Sequence, residues 1–338
     1  MNLTEVHQER LCSQSSNSSC SGRVSLTAVE VLMYSATAAV VLLTVCGNLL
    51  VIISICHFKQ LHTPTNLLLL SLAVSDLLVG VLVMPFHFST LIQSQWCFGA
   101  VYCTICNVAG FYLPCVSIYN VSFIAMDRYF ALSNPFFYAS KVTVRVALKV
   151  ISIFWLYSFF YNFALVYFNG NITEVKTNTT CVACSVTIDE VWATVDFVAV
   201  FVLPTATMII LYVKIFVIAK KHANTIRCVR KHHVKDTSKN NSVASEKKAA
   251  KTLGIQVTVF LMCLIPYYLG VFIDLNFKLQ SKYLAVTNLL IPIYMNSSMN
   301  PIIYALFYPW FQKCVKLIVT LRICDPESSL INVHEKRT

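Results

Sequence analysis

Seven long apolar runs constrain this chain more than any other feature. They cover residues 31–56, 66–92, 99–126, 144–168, 191–217, 252–275 and 284–306. A helix rises about 1.5 Å per residue, so each run can cross the roughly 30 Å hydrocarbon core of a bilayer. Of the 338 residues, 57% are hydrophobic and only 12% are charged, which excludes an ordinary soluble domain. We therefore predict an all-α membrane protein, a seven-transmembrane helix bundle over residues 31–308.

The distribution of Lys and Arg predicts the orientation of the bundle. Most of these residues follow runs one, three, five and seven, and the opposite loops hold little beyond Lys176, Lys278 and Lys282. Because cytoplasmic loops are enriched in Lys and Arg, residues 1–30 are predicted to be an extracellular segment of a plasma-membrane protein. The net charge of +11 follows from the cytoplasmic loops, so no nucleic-acid partner is expected. The extracellular glycosylation sequons are Asn2, Asn17, Asn171 and Asn178.

Residues 309–338 are predicted to lie in the cytoplasm. Their first part alternates apolar and basic residues at helical spacing, which is typical of a short amphipathic helix lying on the inner leaflet of the lipid membrane. The remainder is expected to form a cytoplasmic tail.

Six cysteines fall on the extracellular side, an even number in an oxidising compartment, so disulfides are expected there. They are Cys12, Cys20, Cys97, Cys103, Cys181 and Cys184. No second pair at ligand spacing accompanies Cys181 and Cys184 on that side, which argues against zinc. The chain also shows no nucleophile–base constellation, so it is not expected to be an enzyme.

Asp76 lies near the middle of the second run, where a carboxylate is costly and by default faces a polar interior. Its candidate partners are Ser117, Asn296, Ser297 and Asn300. Such an oxygen-rich cluster suits an allosteric sodium ion. A purely structural hydrogen-bond network is the alternative.

A set of residues recurs in fixed order along the runs: Asn48, Asp76, Asp127-Arg128-Tyr129, Trp155, Pro204, Pro266 and Asn300-Pro301-Ile302-Ile303-Tyr304. Together they resemble the rhodopsin-like G-protein-coupled receptors. More narrowly, HFKQLHTPTN (57–66), KKAAKTLGI (247–255) and NSSMNPIIYALFYPWFQKCVKLIV (296–319) are similar to trace amine-associated receptors. The resemblance implies an olfactory receptor for trace or volatile amines, without a cofactor, that couples to a stimulatory G protein and raises cyclic AMP.

The resemblance also implies roles for individual residues. Cys103 would pair with Cys184, and Cys181 with Cys20 or Cys12. Arg128 would pair with Asp127 and, at rest, with Glu246. The remaining residues of the implied activation switch are Tyr129, Tyr212, Tyr304, Ile118, Pro204, Phe260, Asn300 and Pro301. Leu264 departs from the family, which usually has a tryptophan there, and this puts the usual toggle mechanism in doubt.

A second departure concerns the ligand. Most amine receptors hold the ammonium with an aspartate on span three, and here that position is Gly110. Gly110 lies eighteen residues, or about 27 Å, before Arg128 on the same helix face, so the alignment is sound and the carboxylate is absent.

Asp196 is the predicted replacement anchor. It lies eight residues before Pro204, about 12 Å further outward, and a branch of the family keeps an acid on span five when the span-three acid is missing. The other predicted ligand-binding residues are Gly110, Phe111, Phe197, Tyr267, Tyr268, Tyr294 and His87. Asp274 is a rival anchor. Alternatively, the Asp196 carboxylate reaches the surface or pairs with a basic residue and binds no ligand.

Two other functions stay open. The absence of a span-three acid also suits a receptor for a non-amine ligand. A transporter could use Asp76 and Asp196 along a path, but the chain shows no inverted repeat and holds only 8 glycines.

Overall fold

The computed structural model describes residues 27–93, 98–175, 183–232, 237–277, 288–325 and 327–333. The predictions on Asn2, Asn17, Asn178, Cys12, Cys20, Cys97 and Cys181 lie outside these residues. For Asn171, Cys184, Glu246 and Asp274 the backbone is described, but the side chains lie outside the description.

The described part of the chain forms a bundle of seven long helices, named spans one to seven in chain order. They are Ala28–His57, Pro64–Gln93, Gly99–Ser133, Val144–Asn169, Glu190–Lys221, Thr237–Phe277 and Leu290–Phe307. Six are individually long and apolar enough to cross a membrane. Span seven reaches that threshold together with the helix Pro309–Val319, which is bent from it by 99°.

Local sequence explains where several helices begin. Thr27 and Glu30 form a capping box at the start of span one. The side chain of Thr63 accepts a hydrogen bond from the backbone of Asn66, and Pro64 occupies the first position of span two. Asn134 caps a short linker helix, Pro135–Lys141, in the same way. The first amide groups of a helix have no acceptor within the helix, and these polar caps supply one.

Two spans contain a π-helical turn. Val79–Val83 interrupts span two, and Phe197–Val202 interrupts span five directly after Asp196. A π turn holds more residues than an α turn, so it shifts the helix face on which the following side chains lie. The helix of span five then continues as Leu203–His232.

Close contacts fix the spans against one another. A methyl group added at Gly47 would lie 2.7 Å from Pro301 Cβ, so spans one and seven approach at a position where only glycine fits. Beside it, the Asn48 amide donates a hydrogen bond of 3.0 Å to the backbone carbonyl of Ser297. The indole of Trp155 on span four donates to Ser71 on span two at 2.8 Å. Hydrogen bonds of this kind hold membrane helices together because lipid offers no competing partner.

The connection between spans four and five contains a β-hairpin. Strand β1, Gly170–Val175, pairs in antiparallel register with strand β2, Ala183–Ile188. Strand β2 also packs against span three. The sequence pattern between the fourth and fifth apolar runs does not predict these strands.

The helix Pro309–Val319 is amphipathic, as predicted. Its buried side chains, Trp310, Phe311, Cys314 and Leu317, lie on one face. Beyond it the chain turns back toward the loop between spans one and two, a segment we call the return tail (residues 327–333). The His57 ring hydrogen-bonds Ser328 Oγ at 2.9 Å, and the Val333 amide donates to Gln60 Oε1 at 3.1 Å. Val333 is thereby buried.

Candidate functional site

Asp196 ends the first helical segment of span five, and its side chain is half-buried. The hydroxyl of Tyr161 on span four donates a hydrogen bond to Asp196 Oδ1 at 3.1 Å. Among the described residues this is the only hydrogen bond to the carboxylate, and no basic side chain pairs with it. The described contact of the carboxylate therefore joins span five to span four rather than to a basic partner.

Aromatic rings from spans five and six pack against one another, beginning with Phe197, the residue after Asp196. The centroid of the Phe197 ring lies 6.3 Å from that of Tyr268 and 5.5 Å from that of Phe272, on which it stacks. Tyr268, which is buried, stacks on Phe201 with 4.3 Å between centroids and contacts Tyr267 edge-on at 5.2 Å. Aromatic faces attract cations, so these rings are a suitable surface for an ammonium held near Asp196.

Gly110 belongs to a second group of residues, on spans two, three and seven. A methyl group added at Gly110 would lie 3.2 Å from the hydroxyl of Tyr294, so that hydroxyl takes up space beside the missing side chain. The Tyr294 ring in turn contacts His87 edge-on at 4.9 Å. Phe111 is half-buried, and no ring contact within the described residues links it to either group. The backbone of Asp274 lies in span six.

Asp76 is buried and is held by two other spans. Ser117 on span three donates to Oδ1 at 3.2 Å, and Asn300 on span seven donates to Oδ2 at 2.7 Å. Ser297 is buried on the same span as Asn300, and Ser75 bonds Ser117 at 3.0 Å.

One carboxylate and several hydroxyls match the hard oxygen donors that a sodium ion would use. Asn296, which precedes Asn300 on span seven, is also buried, but no hydrogen bond within the described residues joins it to Asp76. The described part of the chain contains no group of three or more His, Cys, Asp or Glu side chains able to hold a metal ion.

The C-terminal end of span three carries a compact charged network. Arg128 pairs with Asp127 at 2.7 Å. Thr65 on span two donates to Asp127 Oδ2 at 2.6 Å, and Tyr138 on the linker helix donates to Oδ1 at 2.7 Å. Arg128 also contacts Thr65 directly. The ammonium of Lys214 lies 5.6 Å from the centroid of the Tyr129 ring.

Tyr138 is a donor that stays protonated. Burial and the adjacent Asp127 carboxylate raise the pKa of Tyr138 above its ordinary value of 10.0. Its hydroxyl therefore keeps its proton at physiological pH and links the linker helix to span three.

The other switch residues of spans three, five and six lie in the core or where spans three and five meet. Ile118, Phe260 and Leu264 are buried in one hydrophobic cluster. Pro204 is buried, and its carbonyl accepts a hydrogen bond of 3.5 Å from Ser122 on span three.

Two tyrosines of the predicted switch contact span six. Tyr304 is buried and accepts a hydrogen bond of 3.4 Å from Gln256 on span six. Tyr212 packs over Gly254 so closely that its ring leaves no room for a methyl group at Gly254. The backbone of Glu246 lies in span six, so its predicted contact with Arg128 stays a prediction.

Cys103 is buried and disulfide-bonded near the N-terminal end of span three. Its pairing with Cys184 stays a prediction, since the side chain of Cys184 lies outside the description. Strand β2, which contains Cys184, packs against the same span.

Three residues in these networks were not predicted from the sequence: Tyr161, Thr65 and Tyr138. Tyr161 is one of 16 tyrosines and lies in a span rich in aromatic residues, so its composition offers no signal. Tyr138 follows Asp127 by eleven residues, but a helix break separates them. Only the packing of separate helices identifies these partners.

Comparison with known proteins assigns the family. The family described as 7 transmembrane receptor (rhodopsin family) matches residues 47–304. Trace amine-associated receptor 13c of Danio rerio is 38% identical over 333 residues, which cover 97% of each chain. Trace amine-associated receptor 7f of Mus musculus is 39% identical over 340 residues, covering 99% of this chain and 95% of the relative.

These matches extend over nearly the whole chain and confirm the resemblance read from its motifs. They also confirm the predicted seven-transmembrane all-α fold, a multi-pass membrane protein that is a receptor and not an enzyme. The chain belongs to the rhodopsin family of seven-transmembrane receptors and, within it, to the trace amine-associated receptors.

Proposed function

We propose that this receptor detects extracellular amines and holds their ammonium group with Asp196, in the branch of the family that lacks the span-three aspartate. The observation that supports this most directly is the state of the carboxylate. Asp196 is half-buried, accepts one hydrogen bond from a neutral phenol and has no basic partner among the described residues. A carboxylate in this position has acceptor capacity left for a cation.

The chemistry around Asp196 favours a cation over other ligands. An ammonium that reaches the carboxylate gains a charge-assisted hydrogen bond, and the faces of Phe197 and Tyr268 add cation–π attraction of about 0.5–2 kcal/mol. The names of the relatives, trace amine-associated receptors, agree with this ligand class. Gly110, Phe111, Tyr294 and His87 would line the side of the site on spans two, three and seven. Tyr267 would close it from span six.

The proposal includes the signal that follows. Amine binding would favour the arrangement in which spans three, five and six open toward a stimulatory G protein, which raises cyclic AMP in an olfactory cell. A ligand can shift the bundle only if it binds the two arrangements with different affinity. The residues proposed to carry the change are Asp127, Arg128, Tyr129, Glu246, Tyr212, Ile118, Pro204, Phe260, Leu264, Asn300, Pro301 and Tyr304.

Three further features belong to the same proposal. The N-terminus would be extracellular in the plasma membrane, with sugars on Asn2, Asn17, Asn171 and Asn178. Disulfides would join Cys103 to Cys184 and Cys181 to Cys20 or Cys12. A sodium ion would bind at Asp76 with Ser117 and Asn300, and it would favour the resting arrangement.

The first test is cyclic AMP accumulation in cells that express the receptor with an N-terminal surface tag. Aliphatic and aromatic amines are compared with alcohols of the same carbon skeleton, which keep the shape and lose the charge. For an active amine, Asp196→Asn should weaken potency by about 30-fold to several thousand-fold, since breaking a buried charged pair typically costs about 2–5 kcal/mol.

Asp274→Asn is the matched control, because it removes the rival carboxylate by the same chemical change. Surface staining and the response to direct activation of adenylyl cyclase must be equal in the parent and both variants. Loss of the response in Asp274→Asn with an unchanged Asp196→Asn would move the anchor to span six. An active alcohol would instead indicate a receptor for a non-amine ligand.

A further inference from the structure

Tyr161 is the residue that acts directly on the proposed anchor. Its hydroxyl lies 3.1 Å from Asp196 Oδ1, and the phenol is the donor because an ionised carboxylate has no proton to give. The ring stacks on Tyr157, one helical turn earlier, with 6.1 Å between centroids and 15° between planes. The stacked pair therefore holds the hydroxyl on one oxygen of the carboxylate.

The nearby phenol on span three does not share this role. The hydroxyl of Tyr119 donates at 3.1 Å to the backbone carbonyl of Ala199, inside the π turn of span five. Its hydrogen atom is therefore committed to the backbone. Within the described residues, Tyr161 alone donates to the Asp196 side chain.

We propose that Tyr161 is a positioning residue that sets which ammonium groups the receptor prefers. This inference rests on the proposed function, in which Asp196 binds the ammonium. By occupying Oδ1, Tyr161 leaves Oδ2 as the acceptor with most free capacity. The ligand then meets a carboxylate that offers mainly one oxygen.

The number of N–H groups on the ligand decides how much binding affinity is lost when Oδ1 is occupied. A primary ammonium has three N–H donors and gains most when it can reach both oxygens of a carboxylate. A tertiary ammonium has one N–H donor and needs a single oxygen. The Tyr161 hydroxyl therefore reduces the advantage of primary over tertiary amines without removing the charge that attracts both.

The test compares a primary amine with its N,N-dimethyl derivative on the parent receptor and on Tyr161→Phe. The ring and its stacking are retained, and only the hydroxyl is lost. Freeing Oδ1 should favour the primary amine, so the ratio of the tertiary to the primary half-maximal concentration should rise roughly three- to tenfold, the range expected for one hydrogen bond. A merely structural role would change both potencies by the same factor.

Tyr157→Phe is the matched control, because the Tyr157 hydroxyl takes part in no hydrogen bond among the described residues. Its potency ratio should equal that of the parent. An unchanged ratio in Tyr161→Phe, or equal loss for both amines, would overturn the inference while leaving Asp196 as the anchor. If Asp196→Asn keeps both responses, the proposed function itself fails, whatever Tyr161→Phe does.

Discussion

Asp76 and Asp196 are both carboxylates inside the bundle, but their surroundings differ. Asp76 is fully buried, and each of its oxygens accepts a hydrogen bond from a different span. Asp196 is half-buried and accepts one hydrogen bond, from Tyr161. The first carboxylate joins three helices, whereas the second keeps acceptor capacity.

The difference shows that an acid inside a membrane protein has no single meaning. An intramembrane carboxylate always suggests function, because its burial is costly. The number and origin of its hydrogen-bond donors then separate a residue that couples helices from one that can receive a ligand. The predictions below follow this distinction.

The largest expected effect is on stability. Asp76→Ala leaves the side chains of Asn300 and Ser117 without their buried acceptor and should lower the free energy of unfolding by about 2–4 kcal/mol. Asp196→Ala removes the acceptor of one half-buried phenol and should cost less than about 1 kcal/mol. Thermal unfolding of the purified receptor in detergent measures both changes. Equal losses would remove the distinction between the two sites.

Sodium should stabilise the receptor through Asp76 alone. At ten times its dissociation constant, an ion that binds only the folded state adds about 1.4 kcal/mol. Replacing sodium by N-methylglucamine at constant ionic strength should therefore lower the melting temperature of the parent and of Asp196→Asn. In Asp76→Asn the melting temperature should be the same with sodium and with N-methylglucamine. A sodium effect that survives this substitution would place the ion elsewhere.

The aromatic rings near Asp196 should contribute less than the carboxylate itself. Tyr268→Leu removes a face that can attract the ammonium and should weaken amine potency by about 3- to 30-fold, in line with a cation–π contribution of about 0.5–2 kcal/mol. Tyr268→Phe keeps the ring and its stacking on Phe201, so its potency should stay near that of the parent. Concentration–response curves for cyclic AMP decide the matter. Equal loss in both variants would assign the effect to the hydroxyl.

The smallest effect is expected at Gly110. In Gly110→Ala the new methyl group lies 3.2 Å from the Tyr294 hydroxyl, which must shift by a few tenths of an ångström. We expect a two- to threefold change in amine potency, about 0.5 kcal/mol. The double variant Gly110→Ala/Tyr294→Phe relieves the contact and should restore the potency of Tyr294→Phe alone. Failure of this rescue would mean that Tyr294 is not the neighbour that matters.

The sequence predicted the bundle and its acids better than it predicted their partners. Seven apolar runs and the motif order are local signals, and Asp196 could be placed by counting turns from Pro204. Tyr161 could not, because its role depends on how spans four and five are rotated toward each other. Span four carries further aromatic residues, such as Phe160, that are exposed on the bundle surface and look alike in sequence.

Other features were missed for related physical reasons. The π turn Phe197–Val202 follows from tertiary packing and has no residue signature. The hairpin of β1 and β2 consists of short strands of mixed polar and apolar residues between two strongly apolar runs, where hydrophobic periodicity is a weak guide.

The return tail has a practical consequence for reporters attached to this receptor. The Val333 amide is bonded to Gln60, and Lys313 Nζ donates at 2.7 Å to the carbonyl of Asn332, so the chain after the amphipathic helix comes back beside the loop between spans one and two. A fluorophore introduced at Asn332 would therefore emit from beside that loop. Energy-transfer distances measured from such a label should be interpreted from that point and not from the far end of the helix Pro309–Val319.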